Sequence, residues 1–182
     1  MAWWLAGGLF FMTGCSEPPT KEHDQAVASI AAAKQAGASA YATDDLAAAE
    51  DALKRYDGFV AQHEYKQALS AALTARDRGY DAAKVADTKQ QALKAQIETL
   101  LASIEKDIKS ADTVIAATPR AAAKRVDKLR QSRKAAQSAL QEARTLSANG
   151  ELTKAAKRLG DASAALKRDI AAQSPAPAKP KK

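Results

Sequence analysis

The chain has 182 residues, of which 46% are hydrophobic, only 5% are aromatic and 27% are charged. Alanine supplies much of the hydrophobic fraction, so bulky side chains for a thick globular core are scarce. Alanine is also the strongest helix former, and no segment shows the sustained alternation of β-branched and polar residues that marks a strand. The composition therefore predicts an all-α fold of elongated antiparallel helical hairpins, a coiled-coil-like bundle with one long helix.

The formal net charge is +7, and the two parts of the chain differ in sign. Residues 1–118 carry 12 Lys and Arg against 16 Asp and Glu, whereas residues 119–182 carry 16 against 5. One interpretation is that acidic and basic helices pack side by side and their charges meet across the contacts. The other is a basic surface for an anionic partner. The sequence leaves both interpretations open.

The N-terminal segment contains the only cysteine, Cys15. Residues 2–12, AWWLAGGLFFM, form an uncharged apolar run of eleven residues. A bilayer-spanning helix needs about 20 such residues, whereas a signal peptide needs fewer. The sequence Met-Thr-Gly-Cys that ends at Cys15 resembles the lipobox of bacterial lipoproteins. The resemblance implies cleavage between Gly14 and Cys15 and acylation of Cys15.

This segment departs from the usual lipobox in two ways, and a second interpretation accompanies the first. Met12 stands where leucine is usual, and the n-region, MAWW, contains no Lys or Arg. The alternative is a buried N-terminal helix with an incidental cysteine. By resemblance to Gram-negative lipoproteins, Ser16 after the cysteine predicts a periplasm-facing anchor in the outer membrane. Residues 1–14 are thus expected to be a lipoprotein signal peptide, and residues 15–19 a tether.

The body of the chain has helical periodicity throughout. Helix signals predict helices over residues 20–36, 44–61, 63–117, 119–147 and 151–172. The first three form one domain, 20–117, with a hairpin and the long helix, and 118–172 forms a second helical hairpin. Residues 173–182, rich in Pro, Ala and Lys, are predicted to be a disordered basic tail.

Apolar stripes indicate which helix faces are buried. In the second predicted helix the stripe has a heptad-like spacing of three and four residues. In the third helix the expected face includes Leu69, and Gly79 is expected only to weaken the helix. The stripe of the second predicted helix consists of Leu46, Ala49, Leu53, Tyr56 and Val60.

An internal repeat is visible at an offset of 87 residues. Ala49 and Leu53 match Ala136 and Leu140, and the pair that begins at Glu64 matches Glu151-Leu152. The repeat predicts two related helical hairpins joined by the long helix.

Residues 26–83 resemble the bacterial family called domain of unknown function 4398. An Ala-rich helix is followed by a Tyr-Ala step, a capped Leu-Ala-x-Ala helix, a polar turn and another helix. Members are often envelope lipoproteins, and the resemblance implies no active site. The matching residues are Tyr41, Ala42, Leu46, Ala49, Leu53, Tyr65 and Ala68.

Catalytic and metal-binding patterns are weak in this sequence. His23 and His63 lie far apart without a cysteine nearby, so no metal or other cofactor is expected. The Ser-x-x-Lys at Ser103 lacks the companion motifs of penicillin-binding proteins and is treated as chance. The chain is therefore predicted not to be an enzyme.

Two classes of function remain. The first is a structural or interaction lipoprotein, held by acyl chains on Cys15, that contacts peptidoglycan, lipid phosphates or another envelope protein. The alternative is a basic nucleic-acid-binding protein with a histone-like tail. The candidate contacts to an anionic partner are Arg120, Lys124, Lys128, Arg133, Lys179, Lys181 and Lys182.

Overall fold

The computed structural model describes residues 17–119, 124 and 126–173. All regular structure in this part of the chain is helical, which confirms the all-α prediction with one long helix. The predicted signal peptide lies outside the described residues, as does the tail after Gln173. The described ranges contain six helices: α1 (Thr20–Gln35), α2 (Ala38–Tyr41), α3 (Thr43–Ala61), α4 (Tyr65–Ala117), α5 (Asp127–Ala148) and α6 (Leu152–Ala171).

Two features differ from the helices predicted by sequence. The single turn α2 was not expected, because four residues are too few to show a period. The fourth helix was predicted to start at Pro119, whereas Pro119 is not helical and the described helix α5 begins at Asp127; residues 120–123 and 125 of the prediction lie outside the described residues. Proline is tolerated in a first helical turn; among the residues described at this end of α5, Val126 and Leu129 are buried, at 1% and 0% exposed.

The chain forms two compact units that divide inside α4, after Asp87. Unit 1 comprises α1, α2, α3 and the first part of α4, and unit 2 comprises the rest of α4 with α5 and α6. The sequence placed its division after residue 117 instead. Residues 88–117 group with the second hairpin because their side chains pair with it, as Asp112 and Glu105 do with cations of α5.

Unit 1 is held together by small side chains. In the part of α4 that belongs to unit 1, a stripe of buried positions is spaced by four and three residues alternately, and each of them is alanine or glycine. Such small residues let helix backbones approach closely. The stripe consists of Ala68, Ala72, Ala75, Gly79, Ala82 and Ala86.

At Gly79 the backbone of α4 lies close to α1. A Cβ atom at this position would lie 3.0 Å from the backbone nitrogen of Ile30 and would also collide with the hydroxyl of Ser29. That hydroxyl is turned back to donate a hydrogen bond to the carbonyl of Ala26 at 2.9 Å. Gly79 therefore belongs to the helix contact, and its effect is not limited to helix propensity.

The apolar stripe predicted for the second helix is confirmed in α3. Leu46, Ala49 and Tyr56 are buried, and Leu53 and Val60 are half-buried. In α4, by contrast, Leu69 is 38% exposed, so its predicted place on the buried face is wrong. The neighbouring Ala68 occupies that face because alanine permits the close packing seen throughout unit 1.

The turn between α3 and α4 closes α3 with a Schellman motif. The amide of Glu64 donates to the carbonyl of Phe59 at 2.9 Å, and the amide of His63 donates to that of Val60 at 3.0 Å. This pattern requires a left-handed residue after the helix. His63 adopts it with φ of 57°, which is uncommon for a residue other than glycine.

The turn between α5 and α6 repeats this arrangement 87 residues later. The amide of Glu151 donates to the carbonyl of Leu146 at 2.8 Å, and the amide of Gly150 donates to that of Ser147 at 3.1 Å. Gly150 has φ of 79°. The offset found in the sequence therefore relates two turns of the same geometry.

Burial follows the same offset. Four pairs of alanines that match across the repeat are buried in both units, which supports the interpretation of two related hairpins. The buried pairs are Ala49 and Ala136, Ala52 and Ala139, Ala68 and Ala155, and Ala75 and Ala162.

Unit 2 differs from unit 1 in the size of its core residues. Here the fully buried positions include large aliphatic side chains from all three helices, so the unit gains more from hydrophobic burial. The largest are Ile104 on α4, Leu129 on α5, and Leu159 and Leu166 on α6.

Candidate interaction surface

Several residues proposed from the sequence lie outside the described part of the chain. They are Gly14, Cys15, Arg120, Lys179, Lys181 and Lys182. The remaining three, Lys124, Lys128 and Arg133, are described and belong to unit 2.

Regular structure begins close to Cys15. The residues from Glu17 to Pro19 precede the first helix, and the amide of Thr20 donates to the carbonyl of Pro18 at 2.8 Å. The amide of His23 then donates to the carbonyl of Pro19 at 3.1 Å, which starts α1. The folded body thus begins at the end of the tether predicted over residues 15–19.

Lys128 of α5 forms an ion pair with α6. Its Nζ lies 3.2 Å from Asp169, whose side chain is only 8% exposed, and the hydroxyl of Ser132 donates to the same carboxylate. The hydrogen bond from Ser132 lowers the pKa of Asp169, burial opposes that shift, and Lys128 reinforces it. The lysine itself is 76% exposed, so it contributes both to packing and to the surface.

Asp169→Asn should lower the free energy of unfolding by about 2 kcal/mol at neutral pH, because a charged hydrogen-bond acceptor is lost. Since folding lowers the pKa of Asp169, its carboxylate stabilises the fold above the ordinary Asp pKa. That stabilisation is lost as the pH falls through the lowered pKa. Urea unfolding at neutral and acidic pH should therefore show the difference between the two proteins shrinking in acid.

Asp161→Asn is the matched control for this prediction. Asp161 also belongs to α6 and pairs with Lys157 at 2.7 Å, but both side chains are well exposed. Exposed pairs contribute little to stability. A loss of stability in Asp161→Asn equal to that in Asp169→Asn would contradict the role given to Asp169.

Arg133 pairs with Asp112 of α4, with a second nitrogen 3.3 Å from the carboxylate. Arg144 of α5 reaches Glu105 of α4 at 3.2 Å. These contacts agree with the interpretation in which acidic and basic helices meet, within unit 2. Arg133, which is one-third exposed, is therefore partly occupied by packing.

Other cations remain at the surface of the same region. Lys124, which precedes α5, is exposed, as are Lys128, Arg130 and Lys134 on α5 and Arg168 beside Asp169 on α6. We refer to these five residues as the basic patch. Arg130 pairs with Asp127 at 2.9 Å. Among the described residues, no carboxylate forms an ion pair with Lys124, Lys134 or Arg168.

Three members of the basic patch were missed by the sequence reasoning: Arg130, Lys134 and Arg168. Lys134 falls on the side of α5 opposite Leu129 and Ala136, and a helical projection of the buried positions would have identified it. Arg168 could not be assigned, because the approach of the end of α6 to α5 is known only from the contact between Asp169 and Lys128.

The two histidines contact tyrosines. His23 stacks on Tyr56 with ring centroids 4.7 Å apart, and Nδ1 of His63 lies 2.9 Å from the hydroxyl of Tyr65. Burial raises the pKa of the Tyr56 hydroxyl, and the charge of Asp57 adds to this effect. Across the described ranges, no group of acidic, His or Cys side chains is arranged to hold a metal ion.

The Ser-x-x-Lys pattern has a structural place. Ser103 accepts a hydrogen bond at 3.1 Å from Lys167 of α6, rather than from the lysine three residues later in its own motif. Lys167 also lies 3.6 Å from Asp107. The three residues connect α4 with α6 by polar contacts inside unit 2.

A search for membrane spans in the described helices finds none long and apolar enough to cross a bilayer. Comparison of the chain with family models, curated proteins and solved structures gives no match. The resemblance of residues 26–83 to the domain of unknown function 4398 family therefore depends on the sequence pattern alone.

Proposed function

We propose that this chain is a non-enzymatic lipoprotein of the bacterial cell envelope, anchored through Cys15 to the outer membrane and facing the periplasm. The observation that carries the proposal is the lipobox-like sequence that ends at Cys15 after an apolar run of signal-peptide length. The start of α1 at Thr20 supports it, because a short tether then separates the lipid from the folded body.

The helical body acts as an interaction module in this proposal. Its buried side chains hold the helices together. The surplus of cations on the surface of unit 2 can attract an anionic partner. Peptidoglycan carboxylates, lipid phosphates and acidic faces of other envelope proteins all have the required charge. Several cations of α5 are already paired with acids of α4 and α6, which reduces the charge available to any anionic partner.

The lipid anchor is tested by labelling cells with palmitate. The wild-type chain should incorporate the label and fractionate with the outer membrane, whereas Cys15→Ser should lose the label, because a hydroxyl does not form the thioether that carries the lipid. Ser16→Ala, one residue away, is the matched control and should keep it. Equal labelling of Cys15→Ser, or recovery of the wild-type chain with the nucleoid, would overturn the proposal.

A further inference from the structure

The basic patch lies on a surface formed by two helices. Asp169 receives both Lys128 and the hydroxyl of Ser132, so the last turn of α6 lies against the beginning of α5. Arg168, next to Asp169, acts electrostatically on that carboxylate. The cations near the start of α5 and Arg168 near the end of α6 therefore lie in the same region of unit 2.

The acidic groups of this region leave a surplus of positive charge. Asp169 is buried beneath Lys128, and Asp127 is occupied by Arg130 at 2.9 Å. Lys124 and Lys134 are exposed and, within the described residues, no carboxylate pairs with either. Unpaired cations that lie close together repel one another, and an anion bound between them reduces this repulsion.

Unit 1 provides an internal comparison for these positions. The repeat offset of 87 residues relates Arg130, Lys134 and Arg168 to Thr43, Ala47 and Asp81. The same helix positions thus carry neutral or acidic residues in unit 1. A hairpin of this kind therefore packs without cations at these three positions. Packing does not explain why unit 2 has cations at them.

The chemistry of the patch favours phosphates on a surface. The sequence after Tyr80 contains no aromatic residue or histidine, so the patch has no rings on which unpaired bases stack. The apolar side of α5, including Leu129 and Ala136, is buried in unit 2, so the helix cannot insert into the bilayer as a free amphipathic helix does. Exposed cations without such rings or a free apolar face suit adsorption onto negatively charged headgroups at the bilayer surface.

We infer that the basic patch binds the phosphate headgroups of an anionic membrane surface and holds unit 2 against it. The inference rests on the proposed function for its envelope setting and names the anionic partner. It also assigns the contact with the phosphates to Lys124, Lys134 and Arg168. Lys128 adds positive charge at the surface although it is paired with Asp169. Binding is electrostatic, so added salt weakens it.

The test uses the chain from position 15 onward with Cys15→Ser, which lacks both the apolar leader and the acyl chains. Cosedimentation is measured with vesicles of equal parts phosphatidylglycerol and phosphatidylcholine, and with phosphatidylcholine alone. Only the anionic vesicles should bind. The triple variant Lys124→Gln, Lys134→Gln and Arg168→Gln should bind them about 100-fold more weakly, since each basic residue near such a surface contributes about fivefold.

The matched control removes the same charge from unit 1, through Lys21→Gln, Arg55→Gln and Lys66→Gln. It should keep most of the binding, and circular dichroism confirms that both triple variants are folded. Equal losses in the two variants would overturn the inference, because net charge alone would then explain binding. So would an absence of vesicle binding, or tighter binding to peptidoglycan sacculi or duplex DNA. Palmitate labelling is independent of each of these results.

Discussion

Leu159→Ala should lower the free energy of unfolding by about 3 kcal/mol, because the substitution leaves a cavity in a fully buried site. Leu159 is 0% exposed and belongs to the cluster of large aliphatic residues that unit 2 uses as its core. The loss is a large fraction of the stability of an ordinary domain. Urea unfolding followed by helical circular dichroism measures it.

Leu69→Ala is the matched control, since it removes the same atoms from a side chain that is 38% exposed. It should cost well under about 1 kcal/mol, as surface substitutions usually do. If both variants lost the same stability, Leu159 would not occupy the core position assigned to it. A larger loss in Leu69→Ala would mean that Leu69 is covered in the folded chain.

Gly79→Ala should destabilise unit 1 by about 2 kcal/mol, although alanine is the better helix former. Its Cβ would meet the backbone of Ile30 at 3.0 Å and the hydroxyl of Ser29. Backbone atoms cannot rotate away, so α1 and α4 must move apart. Thermal unfolding followed by circular dichroism should show a lower midpoint.

Gly58→Ala provides the opposite expectation. Gly58 lies in α3, and a Cβ there would meet no atom within 4 Å. Alanine should therefore stabilise the helix by about 0.5–1 kcal/mol. If Gly79→Ala also raised the midpoint, the close contact between α1 and α4 would be contradicted. Adding Ser29→Ala to Gly79→Ala should restore part of the loss, since one of the colliding atoms is removed.

Much of the fold could be predicted because its signals are local. Helix periodicity and turn residues placed the ends of α1 and α3 within one residue of the observed positions. The 87-residue repeat was also visible, since matched Ala and Leu positions reflect matched packing. Local signals suffice where a helix is long and its ends are marked by residues that favour turns.

The remaining features depend on which helices meet. Gly79 was expected only to weaken a helix, because its contact with Ser29 requires knowing that α1 crosses α4 at that point. The commitment of Lys128 to Asp169 likewise joins residues 41 positions apart in the sequence. A charge count finds the cations of unit 2 but cannot separate those used in packing from those left at the surface.

The stripe of alanines in α4 has a thermodynamic consequence. Methyl groups bury little apolar area per residue, and the heat capacity change of unfolding grows with that area. Unit 1 should therefore have a smaller heat capacity increment per residue than unit 2, which buries Leu and Ile side chains. The free energy of unfolding of unit 1 should therefore vary less with temperature. Cooling should lower the stability of unit 1 less than that of unit 2.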